Sequence, residues 1–347
     1  MAVFVKPLAE GADQAWDAFV FAQPMGTFFH RVAWRDVIAR AFGHKPLYAL
    51  AERDGAIVGV LPLFHMTSLL FGKALVSSPF CVYGGPLAAD DEAAAALAAY
   101  AAEMRRKYGV ASVEFRHYHA EATPLAEGWV EGPERYVTFR KAIAADDDAN
   151  LQAIPRKQRA MVRKGIGNGL TSHIGAAIDP FYRIYAESVR NLGTPVFSRR
   201  YFRLLLDAFA DCADVLTVLD DGAPIAAVLN FYFRDEVLPY YGGGTARARG
   251  RAANDFMYWE VMRAAAARGV RLFDFGRSKL GTGAFSFKKN WGFSPTPLRY
   301  RYLLAEGARI PDNNPLNPKY RLMIAAWKQL PLALANRLGP PIVRGIG

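Results

Sequence analysis

Cysteine is almost absent from these 347 residues: Cys81 and Cys212 are the only two, too few for a disulfide framework or a cysteine-rich zinc site. Reduced thiols in a cytosolic protein are the simplest expectation for them. No window approaches the roughly 18 apolar residues of a membrane-spanning helix; the longest apolar stretch, Gly59 to Gly72, is broken by Pro62, His65 and Thr67. Met1 to Glu10 lacks the basic-then-apolar pattern of a secretion signal, so a soluble cytoplasmic protein is expected. Also missing are the Gly-x-Ser-x-Gly elbow, the His-Glu-x-x-His zinc motif, a Walker loop and any Cys-His pairing, which argues against a covalent acyl-enzyme or a metal mechanism. His117-x-His119 has no third ligand nearby, and no metal is expected there.

What is present is enough for two domains, since the length is about twice an average one. A content of 52% hydrophobic and 22% charged residues belongs to a folded chain. Lysine and arginine number 43 against 32 acids, a formal charge of +11, which favours anionic partners. The charge is concentrated. Between Asn150 and Ile178 there is no acid, while Arg156, Lys157, Arg159, Arg163 and Lys164 fall in one helical-looking run; a second basic stretch follows Gly307, opposed by Asp312 alone.

A long-period repeat organises the chain. Tyr48 to Phe64 reads as a strand, an Asp54-Gly55 turn and a second strand, and Val215 to Phe233 repeats it around Asp221-Gly222. Tyr83-Gly84-Gly85-Pro86 answers Tyr241-Gly242-Gly243-Gly244, each ahead of an alanine-rich helical stretch. Gly109-Val110 leads into Ser112–Phe115 as Gly269-Val270 leads into Leu272–Phe275, with each glycine at a helix C-cap position. Helices are expected over 11–22 and 31–42 before the first hairpin, and over 178–192 and 198–210 before the second. The fold class is therefore α/β or α+β, two copies of a mixed sheet flanked by helices and joined by the acid-free segment. The boundaries read as an N-terminal domain over 1–149, a C-terminal domain over 150–305 and a basic, proline-rich helical tail over 306–347.

Only the second copy carries a plausible anion loop. After the strand Val237–Tyr241 comes Gly242-Gly-Gly-Thr-Ala-Arg247-Ala-Arg249-Gly250-Arg251-Ala252, and then a helix from about Asn254. A strand, a small-residue loop and a helix N-terminus direct backbone N–H groups at one spot where the helix dipole also favours negative charge. Gly250 and Ala252 keep side chains clear, while Arg247, Arg249 and Arg251 add charge, an arrangement that suits a pyrophosphate; the alternative is an ordinary turn with exposed arginines. The equivalent loop of the first copy, Pro86 to Glu92, holds Asp90, Asp91 and Glu92, which cap a helix but repel phosphate.

Arg247-x-x-Gly250-x-Ala252 resembles the acyl-CoA pyrophosphate loop of the GNAT acyltransferases. The duplication, with Arg156-Lys157-Gln-Arg159-x-x-x-Arg163-Lys164-Gly165, Phe273-Asp274-Phe275-Gly276-Arg277 and Phe285-Ser-Phe287-Lys288-Lys289-Asn-Trp291-Gly292, resembles over about residues 1–305 the Fem (FemAB-like) transferases, whose chains hold two GNAT-like domains. More narrowly it is similar to the FemAB-related proteins of exosortase and exopolysaccharide systems in Gram-negative bacteria. The resemblance implies transfer of an acyl or aminoacyl group to an amine or hydroxyl of an envelope or exopolysaccharide precursor. It implies acyl-CoA as co-substrate if the GNAT branch applies and aminoacyl-tRNA if the Fem peptidyltransferase branch does. No long coiled-coil arm is inserted in the second half, and the loop keeps the CoA pattern, which favours the thioester.

Direct attack in a ternary complex then needs a deprotonated nucleophile, oxyanion donors and a proton for the leaving group. Asp274 faces opposite to Phe273 and Phe275 on a strand and reads as a base or substrate ligand, or as a carboxylate satisfied by Arg277 or by backbone. An alternating Phe285-Ser-Phe287 would anchor Lys288 and Lys289 with one amine inward and one outward, and the resemblance favours a functional lysine. Tyr241, with Tyr240, ends the strand beside the loop and reads as a proton donor to a leaving thiolate or as core. The catalytic candidates are Asp274, Lys288 and Tyr241; Arg247, Arg249, Gly250, Arg251 and Ala252 are the donor-binding candidates. Arg156, Lys157, Arg163, Arg277, Lys289 and Trp291 are candidates for holding an anionic acceptor, lipid- or nucleotide-linked, or tRNA. The N-terminal domain is expected on the acceptor side and the C-terminal domain on the donor side. In the tail, cations and Trp327 beside leucines suggest docking on the inner face of an acidic membrane, against folding back on the body or dimerisation. A catalytically silent module that binds a glycan precursor or RNA is the rival from another class.

Overall fold

A computed structural model describes residues 2–68, 72–118, 125–311 and 321–345. The first elements are β1 (Phe4–Pro7), α1 (Asp13–Ala22) and α2 (Ala33–Phe42), followed by the strands β2 (Lys45–Pro46), β3 (Ala49–Arg53), β4 (Ala56–Leu61), β5 (Leu63–Ser68), β6 (Gly72–Ser77) and β7 (Leu87–Ala88). Then come α3 (Asp91–Tyr108), β8 (Ser112–Phe115), β9 (Trp129–Glu131) and β10 (Tyr136–Ala142). The second copy opens with α4 (Asp147–Ala153), α5 (Arg156–Gly167), β11 (Thr171–Gly175), α6 (Ile178–Leu192) and α7 (Arg199–Ala208). Its hairpin strands β12 (Ala213–Asp220) and β13 (Ala223–Phe233) lead to β14 (Glu236–Gly244), α8 (Ala246–Gly250), α9 (Ala253–Ala267) and β15 (Leu272–Lys279). It closes with α10 (Gly283–Asn290), β16 (Pro295–Leu298), β17 (Arg301–Leu304), α11 (Arg321–Gln329) and α12 (Leu332–Val343).

The duplication is real at the level of turns and crossovers. Asp54 and Gly55 have φ of 54° and 79°, and Asp221 and Gly222 have 52° and 76°, the two left-handed residues that a tight hairpin matching the strand twist demands. Each copy then has a parallel pair bridged by a helix: β6 with β8 across α3, and β14 with β15 across α9. α3 carries an inward stripe of Ala93, Leu97, Ala101 and Met104 and starts at Asp90, whose carboxylate accepts from Ala93 N and pairs with Arg53. Acids at that helix start thus have the capping role expected of them.

The copies differ where single residues intervene. Proline lacks the N–H a continuous strand needs, and at Pro62 the first copy breaks into β4 and β5, which lie in different sheets, whereas β13 runs unbroken through eleven residues. β6 also stops at Ser77; Ser78 and Phe80 take positive φ, and Gly85 N donates to Arg116 O. Tyr83-Gly84-Gly85 is therefore a loop and not the strand end that its likeness to the strand residues Tyr241–Gly243 suggested.

The sheets exchange a strand. In the six-stranded sheet the order is β2-β5-β6-β8-β17-β9, so β17, from after the second copy, fills the place beside β8. In the seven-stranded sheet the order is β11-β12-β13-β14-β15-β10-β16, and β10, from after the first copy, fills the place beside β15. One compact unit accordingly runs to Arg135 and resumes at Pro297, and the other spans Tyr136–Thr296 and takes in the C-terminal helices through Val343. Sequence boundaries at 149/150 and 305/306 do not follow this division, because the joining segments are strands of the sheets and not linkers.

The tail belongs to the second unit. α11 and α12 lie on α6, where Arg190 donates to Lys328 O and Gly339 fits against the Val196 backbone. Of the readings weighed for the tail, folding back is what these helices do. Their outer faces expose Leu322, Met323, Leu334 and Leu338. Among the described residues no helix is long and apolar enough to cross a membrane.

Candidate active site

The parallel pairing of β14 and β15 lasts for two residue pairs, Glu236 with Leu272 and Val237 with Phe273. Beyond it each strand carries a bulge on its other side. Register against β13 shifts so that Tyr240 is the extra residue of β14, and register against β10 shifts so that Phe275 is the extra residue of β15. A bulge bends and twists its strand, and the two lie three and two residues past the last paired residues, so the strands part from there on. Gly276 takes φ +66°, a conformation that glycine adopts without strain, and completes the bend.

Side chains clamp this bulge from both sides. Asp274, 1% exposed, accepts from Gly276 N at 2.6 Å through Oδ1, and its Oδ2 is 3.3 Å from Arg140 Nε. Arg140 also pairs with Glu236 of β14. Lys288, from α10, donates from Nζ to the carbonyls of Gly276 at 3.1 Å and Arg277 at 3.0 Å. Burial raises the Asp274 carboxyl to about 6, with Arg140 opposing and Glu236 adding to the rise. Burial likewise lowers Lys288 to about 7, with Asp274 opposing and Arg277 assisting. A neutral amine can give two hydrogens to the two carbonyls and keep a lone pair for a proton. A buried, near-neutral amine where two strands part is thus equipped for general acid–base work.

The segment around Lys288 is a helix where an alternating strand was expected. The Thr282 hydroxyl caps it by accepting from Phe285 N, and one turn of α10 still puts Phe285 and Phe287 against the core. Lys288 points in and Lys289 remains exposed, because consecutive helical side chains diverge by about 100°. Trp291 is a core residue at 0% exposure, its indole N–H donating to Asp255 at 3.0 Å, so it has no surface to offer an acceptor. Arg277 lies over the Tyr136 ring at 4.5 Å. Tyr241 sits among Tyr185, Tyr201 and Phe202, hydroxyl to hydroxyl with Tyr201 at 2.8 Å, and burial pushes its phenol well up. That places it in the core of the alternatives weighed for it.

The glycine loop is more self-contained than its sequence implied. Arg247 and Arg251 both reach Asp220, 1% exposed, at 2.6 and 2.8 Å, and Arg251 also donates to Asn168 O. Glu187 of α6 accepts from Ala246 N at 3.0 Å, the position where a helix start would meet an anion. A Cβ on Gly243 would come within 2.6 Å of Ser188, and one on Gly244 within 2.7 Å of Ala248 and Asn254. Side chains of the protein therefore occupy the approach to Gly242–Gly244. Gly250 faces open space, Arg249 is exposed, and Ala252 turns the chain into α9 with φ +58°. Of the five donor-binding candidates, Arg249 and Gly250 are exposed and free of Asp220, whereas Ala252 is buried with its N–H bonded to Arg249 O.

α5 divides cleanly into two faces. Gln158, Val162 and Gly165 point inward, and a Cβ on Gly165 would meet Phe256 at 2.8 Å, so α5 lies tight on α9. Arg159 turns back to cap α4 through Gln152 and the Ile154 carbonyl. Arg156, Lys157, Arg163 and Lys164 are exposed and make no ion pair among the described residues, unlike the loop arginines.

Sequence reading missed Arg140, Glu236, Asp220 and the Gln158–Asp255–Trp291 network. Asp255, whose carboxyl burial raises, accepts from both Gln158 and Trp291 and so ties α5, α9 and the end of α10 together. An Asp in the first turn of a helix that is otherwise largely buried was a visible signal. Asp255→Ala leaves two buried donors unsatisfied and is expected to lower stability by about 1–3 kcal/mol in urea unfolding; an unchanged midpoint would show that water satisfies them instead.

Residues 151–289, which hold this bulge, match the acetyltransferase (GNAT) domain family. The second unit thus has the GNAT fold. Over most of the chain the similarity is to solved structures. FemX is 16% identical with a TM-score of 0.65, the match covering 92% of this chain and all of that one. A tandem GNAT protein from the clavulanic acid biosynthesis pathway is 14% identical, TM-score 0.55, over 89% of this chain and 100% of the other. The C-terminal domain of a putative lysylphosphatidylglycerol synthetase from Agrobacterium fabrum is 14% identical, TM-score 0.54, over 85% and 92%. No curated protein matches by sequence. The chain has a FemAB-like tandem GNAT fold.

Proposed function

We propose that the protein is an acyltransferase that moves an acyl group from an activated carrier to an amine or hydroxyl of an anionic cell-envelope or exopolysaccharide precursor. The observation that carries this reading is the Lys288 amine, held on the Gly276 and Arg277 carbonyls beside Asp274 where β14 and β15 part. In this account Lys288 takes the proton of the attacking group and returns it to the leaving group. Asp274 and Arg140 hold the bulge and touch no substrate. Tyr241 and Trp291 have no part in it.

Acyl-CoA is the first donor, because Gly250 faces open space beside the exposed Arg249 just ahead of α9. A second donor, aminoacyl-tRNA, is favoured by a specific observation: the unpaired cations lie on α5, whereas Arg247 and Arg251 are neutralised by Asp220. Titration of one preparation with acetyl-CoA, longer acyl-CoA, free CoA and charged tRNA separates the two. CoA binding abolished by Gly250→Glu supports the thioester. RNA binding that is lost when Arg156, Lys157, Arg163 and Lys164 become glutamates, and that weakens steeply with salt, supports tRNA. Binding of acceptor with no transfer from any donor contradicts an enzyme and leaves a binding module.

For the tail, the exposed Leu322, Met323, Leu334 and Leu338 lie on helices that carry Arg321, Lys328 and Arg337 and no acid. Such a surface suits peripheral attachment to an anionic bilayer. Co-sedimentation with vesicles containing phosphatidylglycerol is expected, with none on phosphatidylcholine alone, and Leu322→Glu with Leu338→Glu should release the protein. Equal sedimentation of that variant would exclude the tail as the attachment.

A further inference from the structure

The first unit contains a cavity of about 220 Å³ that the acyl-transfer account does not use. Its floor is flat and apolar: Phe115 of β8 and Trp129 of β9 stack at 4.2 Å and 26°. Ala94 and Ala95 of α3 form the facing wall, and their short side chains leave the space open. Polar lining is sparse. Asp91 stands in the first turn of α3 and is exposed, whereas His117 and Arg301 are buried, at 6% exposure each.

His117 is the informative residue. It follows β8, meets the Phe115 ring edge-on and lines the cavity. Burial and the neighbouring Arg301 and His30 depress the imidazole to about 3, so at neutral pH it is uncharged and offers one N–H and one lone pair. Among the described residues Arg301 supplies the one buried positive charge lining the cavity, with Glu131 4.0 Å from its guanidinium.

These features select a ligand class. An apolar cavity of about 150 Å³ holds a benzene ring, so this one takes an aromatic ring and a short arm. A sugar would bury several hydroxyls against three polar residues and leave most without partners. A guanidinium and a neutral imidazole N–H together match the two oxygens of one carboxylate. Asp91 at the margin opposes a second negative charge and so disfavours phosphate esters. We propose that the cavity between α3 and the β8–β9 face binds a compact aromatic monocarboxylate, with Arg301 and His117 on the carboxylate and Trp129 and Phe115 under the ring.

The site does not depend on the acyl-transfer reading, and its test requires no turnover. Full-length protein is titrated with 3-phenylpropionate, with 3-phenylpropanol as the neutral isostere and phenyl phosphate as the dianion, by saturation-transfer NMR and calorimetry. Saturable binding of the acid is expected, at least tenfold tighter than the alcohol or the phosphate. Ala95→Phe, at an exposed helix position, fills the wall and should abolish binding while leaving the melting temperature unchanged; Arg301→Met should reduce the acid to the affinity of the alcohol. Acid and alcohol bound equally, or acid binding untouched by Ala95→Phe, would overturn the proposal.

Discussion

Replacing Lys288 by Met is expected to lower acyl transfer by about 10²- to 10⁴-fold, the range for removal of a positioned general acid–base group. The chain is still expected to fold, because methionine is of similar length and its thioether can pack on the Phe139 ring that the Lys288 amine lies over at 5.7 Å. Two readouts separate catalysis from a merely structural clamp. In the wild type, transfer should rise through about pH 7 as the amine loses its proton. Lys288→Arg should not restore it, since a guanidinium stays charged and cannot accept a proton. A lysine that only pins the bulge would give a lower melting temperature with the pH profile unchanged.

The same shift carries a sign for stability. Between about 7 and the ordinary lysine value of 10.5 the unfolded chain holds a proton on Lys288 that the folded chain does not. Stability from this group therefore falls as pH drops through that window and levels off below it. Lys288→Met should flatten that dependence.

Cutting the chain at 149/150 is expected to yield two fragments that do not fold alone. The later fragment loses β10, which pairs with β15 from Tyr136 through Ala142 and contributes Val137 and Phe139 to its core. The earlier fragment loses β17, which joins β8 to β9 and brings in Leu303. Each large side chain removed from a core forfeits about 1.5–3 kcal/mol, against a total stability of about 5–15 kcal/mol. A fragment of 136–347 regains β10 and should recover a cooperative thermal transition with near-ultraviolet dichroism. Cooperative melting of both 1–149 and 150–347 would contradict the strand exchange.

Local features of this fold were legible because they are written in adjacent residues. Asp54-Gly55, Asp221-Gly222 and the glycines at 109 and 269 announce their backbone geometry directly, and α6 runs from Ile178 to Leu192 as its periodicity indicates. Partner choice was not legible. Tyr136–Ala142 drew no strand expectation, and its residues are silent on which sheet receives it. Thr282 caps α10 and overrides the alternating Phe285-Ser-Phe287: a strand with both phenylalanines inward would turn Lys289 in and Lys288 out, whereas the helix buries Lys288 and exposes Lys289.

The site was legible in the same measure. Asp274 and Lys288 stand out by sequence, but the burial that shifts both is a property of the fold, and Arg140 and Glu236, which act on the Asp274 carboxyl, come from strands far along the chain. Arg247 and Arg251 looked available for phosphate because Asp220 reads as part of a turn; it is in fact the buried carboxylate between them.

The account rests on an amine whose proton is balanced near neutrality where β14 and β15 separate. A proton titration of the lysine Cε–Hε resonances in carbon-labelled protein, with Lys288 assigned by its absence in Lys288→Arg, reads that property without any substrate. A midpoint near 7 for that one resonance, shifted on adding the donor that binds, is the predicted result; a midpoint near 10.5, in line with the other lysines, would contradict it.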